Sequence, residues 1–233
     1  MPFRERRFEV MLDVLAALKR GPVVVVDLAC GPGAISQRVL RRFPRARCLA
    51  VDFDPVLLRI GREALGSSRR LRWVEADLRQ PGWSEQLPAG PVDAFLSTTA
   101  LHWLTAPELF EVYREAAQRL RRGGLFLNGD HVRYSDHLPT FQRLSHAVRN
   151  LHRRRDRPAD SVGETWEAWW AAVEKEPALE RELAVRRQRF PSGTHGEEEF
   201  TREFHVAAME AAGFREVESV WGGFENHVLL GVR

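Results

Sequence analysis

The chain has 233 residues, 44% of them hydrophobic, with 35 Lys plus Arg against 32 Asp plus Glu and a formal net charge of +3. This length and apolar content exclude wholesale disorder and suit one α/β domain of ordinary size, with room for an insertion. The basic residues are spread along the chain without a polybasic tail, which argues against a nucleic-acid partner.

The cysteine count and the hydropathy pattern bear on where the protein functions. Two cysteines are too few for a disulfide framework, and no Cys or His spacing is typical of structural zinc. No apolar run approaches the roughly 18 residues of a membrane span, and no apolar segment typical of a signal peptide follows the basic N-terminus. We therefore expect a cytoplasmic protein without a membrane partner, either a monomer or a homodimer.

Helical and strand-like patterns alternate through the first half of the chain. An amphipathic helix is predicted at 8–18, and the β-branched run at 23–28 is typical of a strand buried on both faces. The elements predicted next, in chain order, are a helix at 34–42, a strand at 47–51, a helix at 55–65, strands at 71–75 and 92–97, a helix at 107–120 and a strand at 125–128. This alternation predicts βαβ units in a mostly parallel sheet.

The pattern changes in the second half. Helices are predicted near 138–155, 164–174 and 177–189, and then a helix at 198–212 and strands at 215–220 and 227–232, with a turn at Gly222-Gly223. The two last strands predict an antiparallel hairpin. We therefore expect a sheet domain made of 1–130 and 197–233, with a helical insertion at 131–196.

The first strand ends in a glycine-rich turn, residues 27–33, Asp-Leu-Ala-Cys-Gly-Pro-Gly. Its glycines allow a sharp turn and close approach of a ligand, toward which the next helix directs its first N–H groups. Ser36 stands where a dinucleotide fingerprint needs its third glycine, and Asp27 would repel a pyrophosphate. A carboxylate at this point suits a cofactor with a cationic amino group.

Two further carboxylates follow at intervals of 25 residues, Asp52 after the second strand and Asp77 after the third. Parallel strands would bring all three carboxylates to one edge of the sheet, the usual ligand position in open α/β sheets. Asp52 can accept hydrogen bonds from ribose hydroxyls, and Asp77 from an exocyclic adenine amine while Leu78 packs on the ring. The alternative is that these acidic residues only cap helices.

Together these motifs resemble the class I S-adenosylmethionine-dependent methyltransferases, whose first motif more usually has Gly where Ala29 stands. The resemblance covers roughly 8–130 and 198–233. It implies S-adenosylmethionine as cofactor and a Rossmann-like α/β fold, with a seven-stranded, mostly parallel sheet that ends in an antiparallel hairpin, and a helical lid insertion. The cofactor-binding residues that it implies are Asp27, Ala29, Cys30, Gly31, Gly33, Asp52, Phe53, Asp77, Leu78, Ser97 and Thr98.

The segment after the fourth strand, Leu101-His102-Trp103-Leu104, resembles small-molecule methyltransferases of the trans-aconitate type. His102 is a candidate general base for a hydroxyl or amine acceptor, or it only shapes the pocket; a carboxylate acceptor needs no base. Trp103 is expected to form pocket wall. Metal-dependent relatives carry an Asp where Ser97 stands, so no metal site is expected, although Asn128-Gly129-Asp130-His131 is suggestive of one.

The insertion holds three tryptophans at helical spacing, Trp166, Trp169 and Trp170. They either attach the lid to the sheet domain, or Trp166 and Trp170 line the acceptor site. Six arginines lie at 143, 149, 153, 154, 155 and 157, which form either a solvated helix face or an anion site. Arg4, Arg6 and Arg7 could reach over the cofactor, although an exposed N-terminus is the simpler interpretation.

The sequence therefore predicts S-adenosylmethionine-dependent methyl transfer to a small-molecule acceptor, through a carboxylate or a hydroxyl. Two other hypotheses stay open. One is an RNA or protein methyltransferase that uses the Arg-rich 143–157 segment, although that segment has few aromatic residues to stack on bases. The other is a non-catalytic cofactor-binding protein on the same fold.

Overall fold

The computed structural model describes residues 3–155, 166–191 and 200–233. In this part of the chain the helices are α1 (Arg4–Leu18), α2 (Ala34–Arg42), α3 (Pro55–Leu65), α4 (Ala106–Arg119), α5 (Pro139–Arg155), α6 (Trp166–Val173), α7 (Glu180–Arg189) and α8 (Arg202–Ala211). The strands are β1 (Val24–Leu28), β2 (Arg47–Asp52), β3 (Leu71–Glu75), β4 (Val92–Thr98), β5 (Leu120–His131), β6 (Glu216–Gly223) and β7 (Asn226–Val232). Short 3-10 turns lie at Trp83–Gln86, Leu101–Trp103 and Pro177–Leu179.

The strands in the described part of the chain form a seven-stranded sheet with the order β3-β2-β1-β4-β5-β7-β6. β1 to β5 run parallel, and β7 is antiparallel to both β5 and β6. This confirms the predicted α/β sheet with its terminal antiparallel hairpin. The chain reverses its direction across the sheet between β1 and β4, and ligands of open α/β sheets bind at this switch point, outside the carboxyl ends of the strands.

Helices cover both faces of the sheet, because successive side chains of a strand point to opposite faces. One layer holds Val25 of β1 together with Met11 of α1 and Val39 of α2. The opposite layer holds Val26 together with Leu109 of α4. The β-branched run of β1 is therefore buried on both sides, as its sequence predicts.

The chain turns sharply from β2 into α3. Asp54 is the N-cap of α3, since its Oδ1 accepts a hydrogen bond from the backbone N of Val56 at 2.9 Å, and Pro55 occupies the first turn. Asp52, the last residue of β2, is thereby held directly before the N-terminus of α3. This places its carboxylate at the carboxyl edge of the sheet.

The predicted turn of the last hairpin was wrong by two residues. Gly223 pairs with Asn226, so Phe224 and Glu225 form the turn, and Phe224 has a φ of +56°. Gly222 lies within β6, where a Cβ would come 2.9 Å from the ring of His227. The glycine pair therefore allows close strand contact and does not form the turn.

Two other predicted boundaries also differ. α8 begins at Arg202, after the start predicted at 198, because the Thr201 hydroxyl accepts from the backbone N of Phe204 at 3.2 Å. Residues 198 and 199 lie outside the described part of the chain. β5 is longer than the strand predicted at 125–128, since its pairing with β7 continues to His131.

Three helices, α5, α6 and α7, follow β5 at the predicted places, although residues 164 and 165 of the second lie outside the described residues. α6 and α7 pack on α3 through an apolar cluster that contains Val56, Val173, Leu179 and Leu183. The insertion is thus fastened beside the carboxyl end of β2. The division of the chain at 131 and 196 stays a prediction.

Candidate active site

Asp27 lies near the end of β1 and is buried beneath the glycine loop, the turn formed by residues 29–33. Its Oδ2 accepts hydrogen bonds from the backbone N and the hydroxyl of Ser36, at 2.9 and 2.8 Å. Its Oδ1 is also buried but has no hydrogen-bond partner among the described residues. Burial raises the pKa of Asp27 to about 7. An ammonium group at Oδ1 would supply the missing donor, as the predicted contact with the methionine part requires.

The glycine loop depends on left-handed backbone. Gly31 and Gly33 have φ values of +54° and +87°, and a Cβ at Gly33 would lie 2.8 Å from the ring of Trp73. Ala29 also has a positive φ, +49°. A residue with a Cβ pays about 1–2 kcal/mol in this conformation, which gives a physical reason for a glycine here in related sequences.

The carboxylate of Asp52 holds the glycine loop against the end of β2. Its Oδ2 accepts from the backbone N of Gly31 at 2.7 Å, and its Oδ1 accepts from the backbone N of Phe53 and of Asp54 at 2.7 and 2.8 Å. Burial raises the pKa of Asp52 despite these donors. A carboxylate accepts about four hydrogen bonds, so Asp52 has capacity for about one ribose hydroxyl in this arrangement.

Asp77 lies where an adenine is predicted, but Arg79 already binds it. The Oδ1 of Asp77 accepts from Nε of Arg79 and Oδ2 accepts from Nη2, both at 2.8 Å. A cavity of about 250 Å³ lies beside them, lined by Phe53, Asp77 and Trp83 among others. Leu78 is buried in the core cluster that contains Trp83. An adenine amine must therefore compete with Arg79 for the Asp77 carboxylate.

Phe53 at the edge of this cavity is held by the insertion, a contact that the sequence did not indicate. The guanidinium carbon of Arg189 lies 4.4 Å from the centroid of the Phe53 ring, and the ring of Phe190 lies 5.8 Å from it. Arg189 also pairs with Glu75 at 2.5 Å. α7 thus supplies one wall of the predicted adenosine site.

Of three other predicted cofactor residues, Ser97 and Thr98 join strand ends to one another, and Cys30 is buried. The hydroxyl of Ser97 donates to the carbonyl oxygen of Leu28 at 3.0 Å, and that of Thr98 donates to the carbonyl oxygen of Gly129 at 2.8 Å. Cys30 is buried, and burial raises the pKa of its thiol well above the usual value, so the thiolate is disfavoured. Their contact with cofactor stays a prediction.

His102 is paired with Asp130, which the sequence indicated only as part of a segment suggestive of a metal site and not as a partner of His102. The Nδ1 of His102 lies 2.8 Å from Oδ1 of Asp130, whose side chain is 2% exposed. Burial alone would raise the pKa of Asp130, but the hydrogen bond and charge of His102 outweigh it, together with the backbone N–H of His131, and lower that pKa. The pair, which we call the His102–Asp130 dyad, holds a carboxylate against an imidazole.

The dyad and the glycine loop lie at the same edge of the sheet. Leu28 of β1 pairs with Ser97 of β4, and Ser97 pairs with Asn128 of β5, two residues before Asp130. β1 and β5 are therefore two strand spacings apart, about 10 Å. The signal that could have identified Asp130 is its position just after the predicted fifth strand, because parallel strands bring their carboxyl ends to the edge that also carries the turn of His102.

The predicted acceptor residues do not all lie together. The ring of Trp103 lies 5.0 Å from that of His102 and is 44% exposed, in the position of a wall beside the dyad. Trp170 lies instead against the α3 cluster and under the guanidinium of Arg186, 3.9 Å away. Trp166 is 58% exposed and stacks on Trp169. These contacts support attachment of the insertion, whereas acceptor contact by Trp166 and Trp170 stays a prediction.

The arginines singled out in the sequence have different environments. Arg149 pairs with Glu225 at 3.5 Å and lies 2.8 Å from Nδ1 of His146. Side chains at 153–155 and the whole of residue 157 lie outside what the structure describes. At the N-terminus Arg6 is exposed and pairs with Glu9, but Arg7 is fully buried. The expectation of an exposed N-terminus was therefore wrong for Arg7.

Within the described ranges, 3–155, 166–191 and 200–233, no group of three or more His, Cys, Asp or Glu side chains could hold a metal ion. No helix in those ranges has the length and the apolar character needed to cross a bilayer.

Comparisons with known proteins agree with this geometry. Residues 25–124 match the family model described as a methyltransferase domain. Trans-aconitate 2-methyltransferase of Azoarcus sp. (strain BH72) is 34% identical over 126 residues, which cover 54% of this chain and 46% of that protein. Malonyl-[acyl-carrier protein] O-methyltransferase of Geobacter sulfurreducens is 29% identical over 220 residues, 92% of this chain and 64% of that protein. The chain thus spans about half the length of the curated relatives it matches.

The fold is also similar to that of a solved methyltransferase structure. The apo crystal structure of the S-adenosylmethionine-dependent methyltransferase SibL superposes with a TM-score of 0.61 at 19% identity, over 99% of this chain and 55% of that one. The glycine loop and the three strand-end carboxylates lie within residues 25–124, the part of the chain that is similar to a methyltransferase domain, and the fold is that of the class I S-adenosylmethionine-dependent methyltransferases. S-adenosylmethionine is the cofactor of that class.

Proposed function

We propose that this chain catalyses methyl transfer from S-adenosylmethionine to a small-molecule acceptor, with His102 as the general base. The observation that carries the proposal is the His102–Asp130 dyad. A buried carboxylate that accepts from one imidazole nitrogen is the arrangement that orients a histidine for proton transfer. The dyad lies at the sheet edge that also bears the glycine loop.

In this proposal the chain's own carboxylates hold the cofactor. Asp27 binds the ammonium group through Oδ1, which has no partner among the described side chains and backbone. Asp52 binds the ribose and Asp77 the adenine amine. Bound S-adenosylmethionine supplies an electrophilic methyl group on a sulfonium centre. By holding the cofactor and the acceptor side by side, these residues would supply the rate gain that comes from positioning two reactants.

The dyad moves one proton. With Nδ1–H of His102 donating to Asp130, Nε2 carries the ring lone pair. Nε2 would take the proton of an acceptor hydroxyl as that oxygen receives the methyl group, and S-adenosylhomocysteine would be the leaving group. Asp130, whose pKa is lowered in this environment, stays ionised and stabilises the imidazolium. A dyad of this kind favours an acceptor that has a proton to lose.

We infer that residues 131–196 close the acceptor side as a lid. The support is that Arg149 of α5 pairs with Glu225 and interacts with His131 at the end of β5, and that Trp103 is exposed beside the dyad. A carboxylate acceptor is the second candidate, favoured by the names of two relatives, which refer to trans-aconitate and to a malonyl group. It would be methylated without help from His102. A cytoplasmic location and a monomer or homodimer stay predictions.

The experiment measures release of S-adenosylhomocysteine from a panel of hydroxy acids and carboxylic acids. With a hydroxyl acceptor we expect His102→Gln and Asp130→Asn each to lower kcat about 100-fold or more, as loss of general base catalysis does. Glu210→Gln, at an exposed carboxylate of α8 outside the insertion, is the control and should keep full activity. If His102→Gln released S-adenosylhomocysteine as fast as wild type, His102 would not act as a base, and the acceptor group would be a carboxylate. No release from any acceptor would overturn the proposed function.

A further inference from the structure

Arg7 of α1 is fully buried, which is rare for an arginine. Its Nη1 donates to the carbonyl oxygen of Gly129 at 3.1 Å. Its Nε and Nη2 are also buried but have no hydrogen-bond partner among the described residues. These two nitrogens form one edge of the planar guanidinium, and such an edge binds both oxygens of a carboxylate.

The burial of this edge is not explained by the charges around it. Asp130 lies close enough to interact with Arg7 electrostatically. Its carboxylate, however, accepts hydrogen bonds from Nδ1 and the backbone N of His102 and from the backbone N of His131. Within the described ranges Asp130 forms no ion pair with Arg7. A buried cation with unpaired N–H groups is costly, and native proteins rarely keep one without a ligand or a function.

Arg7 lies between the predicted cofactor residues and the dyad. The carbonyl oxygen of Gly129 accepts from Arg7, from the hydroxyl of Thr98 at 2.8 Å and from the backbone N of Thr99 at 3.0 Å. A Cβ at Gly129 would lie 3.5 Å from Cδ of Arg7 and 3.3 Å from the Thr98 hydroxyl. Asp130 is the next residue along β5. The guanidinium is therefore anchored beside both Thr98 of the predicted cofactor site and Asp130 of the dyad.

The groups around the Arg7 guanidinium carry a net positive charge. Arg4 lies near enough to Arg7 to lower the pKa of its guanidinium. Burial, and then the charge of Arg7, lower the pKa of His131, so this histidine is neutral at pH 7. Arg149 also interacts with His131, and its carboxylate partner is Glu225. An anionic ligand would balance this excess.

We propose that the Nε and Nη2 edge of Arg7 binds a carboxylate group of the acceptor, which is therefore an organic acid. This inference rests on the proposed function, because it takes the acceptor site to lie beside the dyad. Arg7 binds a carboxylate other than the group that is methylated, so the acceptor is a hydroxy acid or carries at least two carboxylates. Since the edge is closed to solvent, the acid reaches it when the first turn of α1 shifts away from β5.

The test compares thermal unfolding of the full chain and its Arg7→Met variant with malonate, citrate or trans-aconitate, at equal ionic strength adjusted with chloride. Malonamide is the uncharged control ligand. Arg6→Met, at an exposed arginine one residue away, is the control variant. We expect at least one acid to raise the midpoint of wild type and of Arg6→Met, and the apparent Kd for that acid to rise 10-fold or more in Arg7→Met. An equal response in Arg7→Met, or no response of wild type to any of these acids, overturns the proposal.

A second readout separates ligand binding from structural support. A ligand-binding Arg7 predicts that Arg7→Met without acid unfolds at or above the wild-type temperature, because the variant buries no unpaired N–H group; a marked drop overturns the proposal. Arg7→Lys keeps the charge and a donor for Gly129 but lacks the fork, so it should fold and still lose the acid response. Calorimetric binding of S-adenosylhomocysteine, which should agree within 2-fold between wild type and Arg7→Met, tests the proposed function separately. If the wild-type protein did not bind S-adenosylhomocysteine, the proposed function would be overturned. The response to the acids would still decide whether Arg7 binds a carboxylate.

Discussion

Arg189 donates from Nη1 to the carbonyl oxygen of Phe53 at 2.8 Å, and its guanidinium also lies over the Phe53 ring. The two residues are 136 positions apart. A wall of the predicted adenosine site is thus completed by α7, a helix from the segment between β5 and α8. This contact connects the insertion to the cofactor side of the molecule, whereas the dyad lies on the acceptor side.

We expect Arg189→Ala to weaken S-adenosylhomocysteine binding about 3- to 10-fold. The substitution removes the cation above the Phe53 ring and the hydrogen bond to its backbone, which are worth about 1 kcal/mol together at a partly exposed site. Arg187→Ala, at an exposed position of the same helix, should bind as wild type does. Isothermal titration calorimetry measures both. Equal affinities would show that α7 does not shape the adenosine site.

At the Arg79–Asp77 pair we expect removal of the arginine to strengthen S-adenosylhomocysteine binding, the opposite of the effect at Arg189. Because Arg79 occupies both oxygens of Asp77, Arg79→Ala should free the carboxylate for the adenine amine. The pair is partly buried, with the Arg79 and Asp77 side chains 32% and 13% exposed. Ion pairs near the surface contribute about 0.2–1 kcal/mol, so we expect S-adenosylhomocysteine to bind about 1.5- to 5-fold more tightly. Asp77→Ala should weaken binding in both backgrounds. Weaker binding by Arg79→Ala would mean that its guanidinium, which lies over Phe53, contacts the cofactor itself.

Ala29 offers a test of backbone strain. Its φ of +49° favours glycine. We expect Ala29→Gly to raise the free energy of unfolding by about 0.5–1 kcal/mol, since relief of about 1–2 kcal/mol of left-handed strain is offset by the greater entropy of unfolded glycine. Denaturant titration measures the change. Ala64→Gly, at an exposed position in α3, should instead destabilise by a similar amount. The same sign in both variants would contradict the strain argument.

The sequence was sufficient for the features that depend on local pattern. The β-branched run of β1 predicted a strand buried on both faces. The equal spacing of Asp27, Asp52 and Asp77 reflects three successive parallel strands that end at one edge, and the structure has this arrangement. The hairpin was predicted but its turn was not, because Gly222 is required by the nearby ring of His227.

Features that depend on register or on distant packing were missed. Asp130 meets His102 because Thr98 pairs with Gly129, and a single sequence does not report that register. Arg7 lies four residues before Met11 and so shares its buried helix face. That spacing carried a signal, but the general exposure of arginine argued against it. The contact of Arg189 with Phe53 has no local signal.

The buried Asp27 leads to a pH dependence of cofactor binding. Its pKa of about 7 means that near neutrality it is about half protonated in the unliganded protein. The ammonium group of the cofactor binds the ionised form, so its affinity should rise as the pH increases from 5.5 to 7.5, and binding should release a proton near pH 6.5. Calorimetry in buffers of different ionisation enthalpy detects that proton. Asp27→Asn should bind weakly with no such dependence.

The same ionisation has the opposite effect on the stability of the unliganded protein. The folded pKa of Asp27 lies above the usual value of 3.8, so the folded state binds the proton more tightly than the unfolded chain does. The free energy of unfolding therefore falls as the pH rises from about 4 to about 7, by up to about 4 kcal/mol from this group. Asp27→Asn has no charge to bury, so at pH 8 it should unfold at a higher temperature than wild type while it loses cofactor affinity. A variant that is less stable than wild type at pH 8 would show that the charge of Asp27 is compensated within the folded chain.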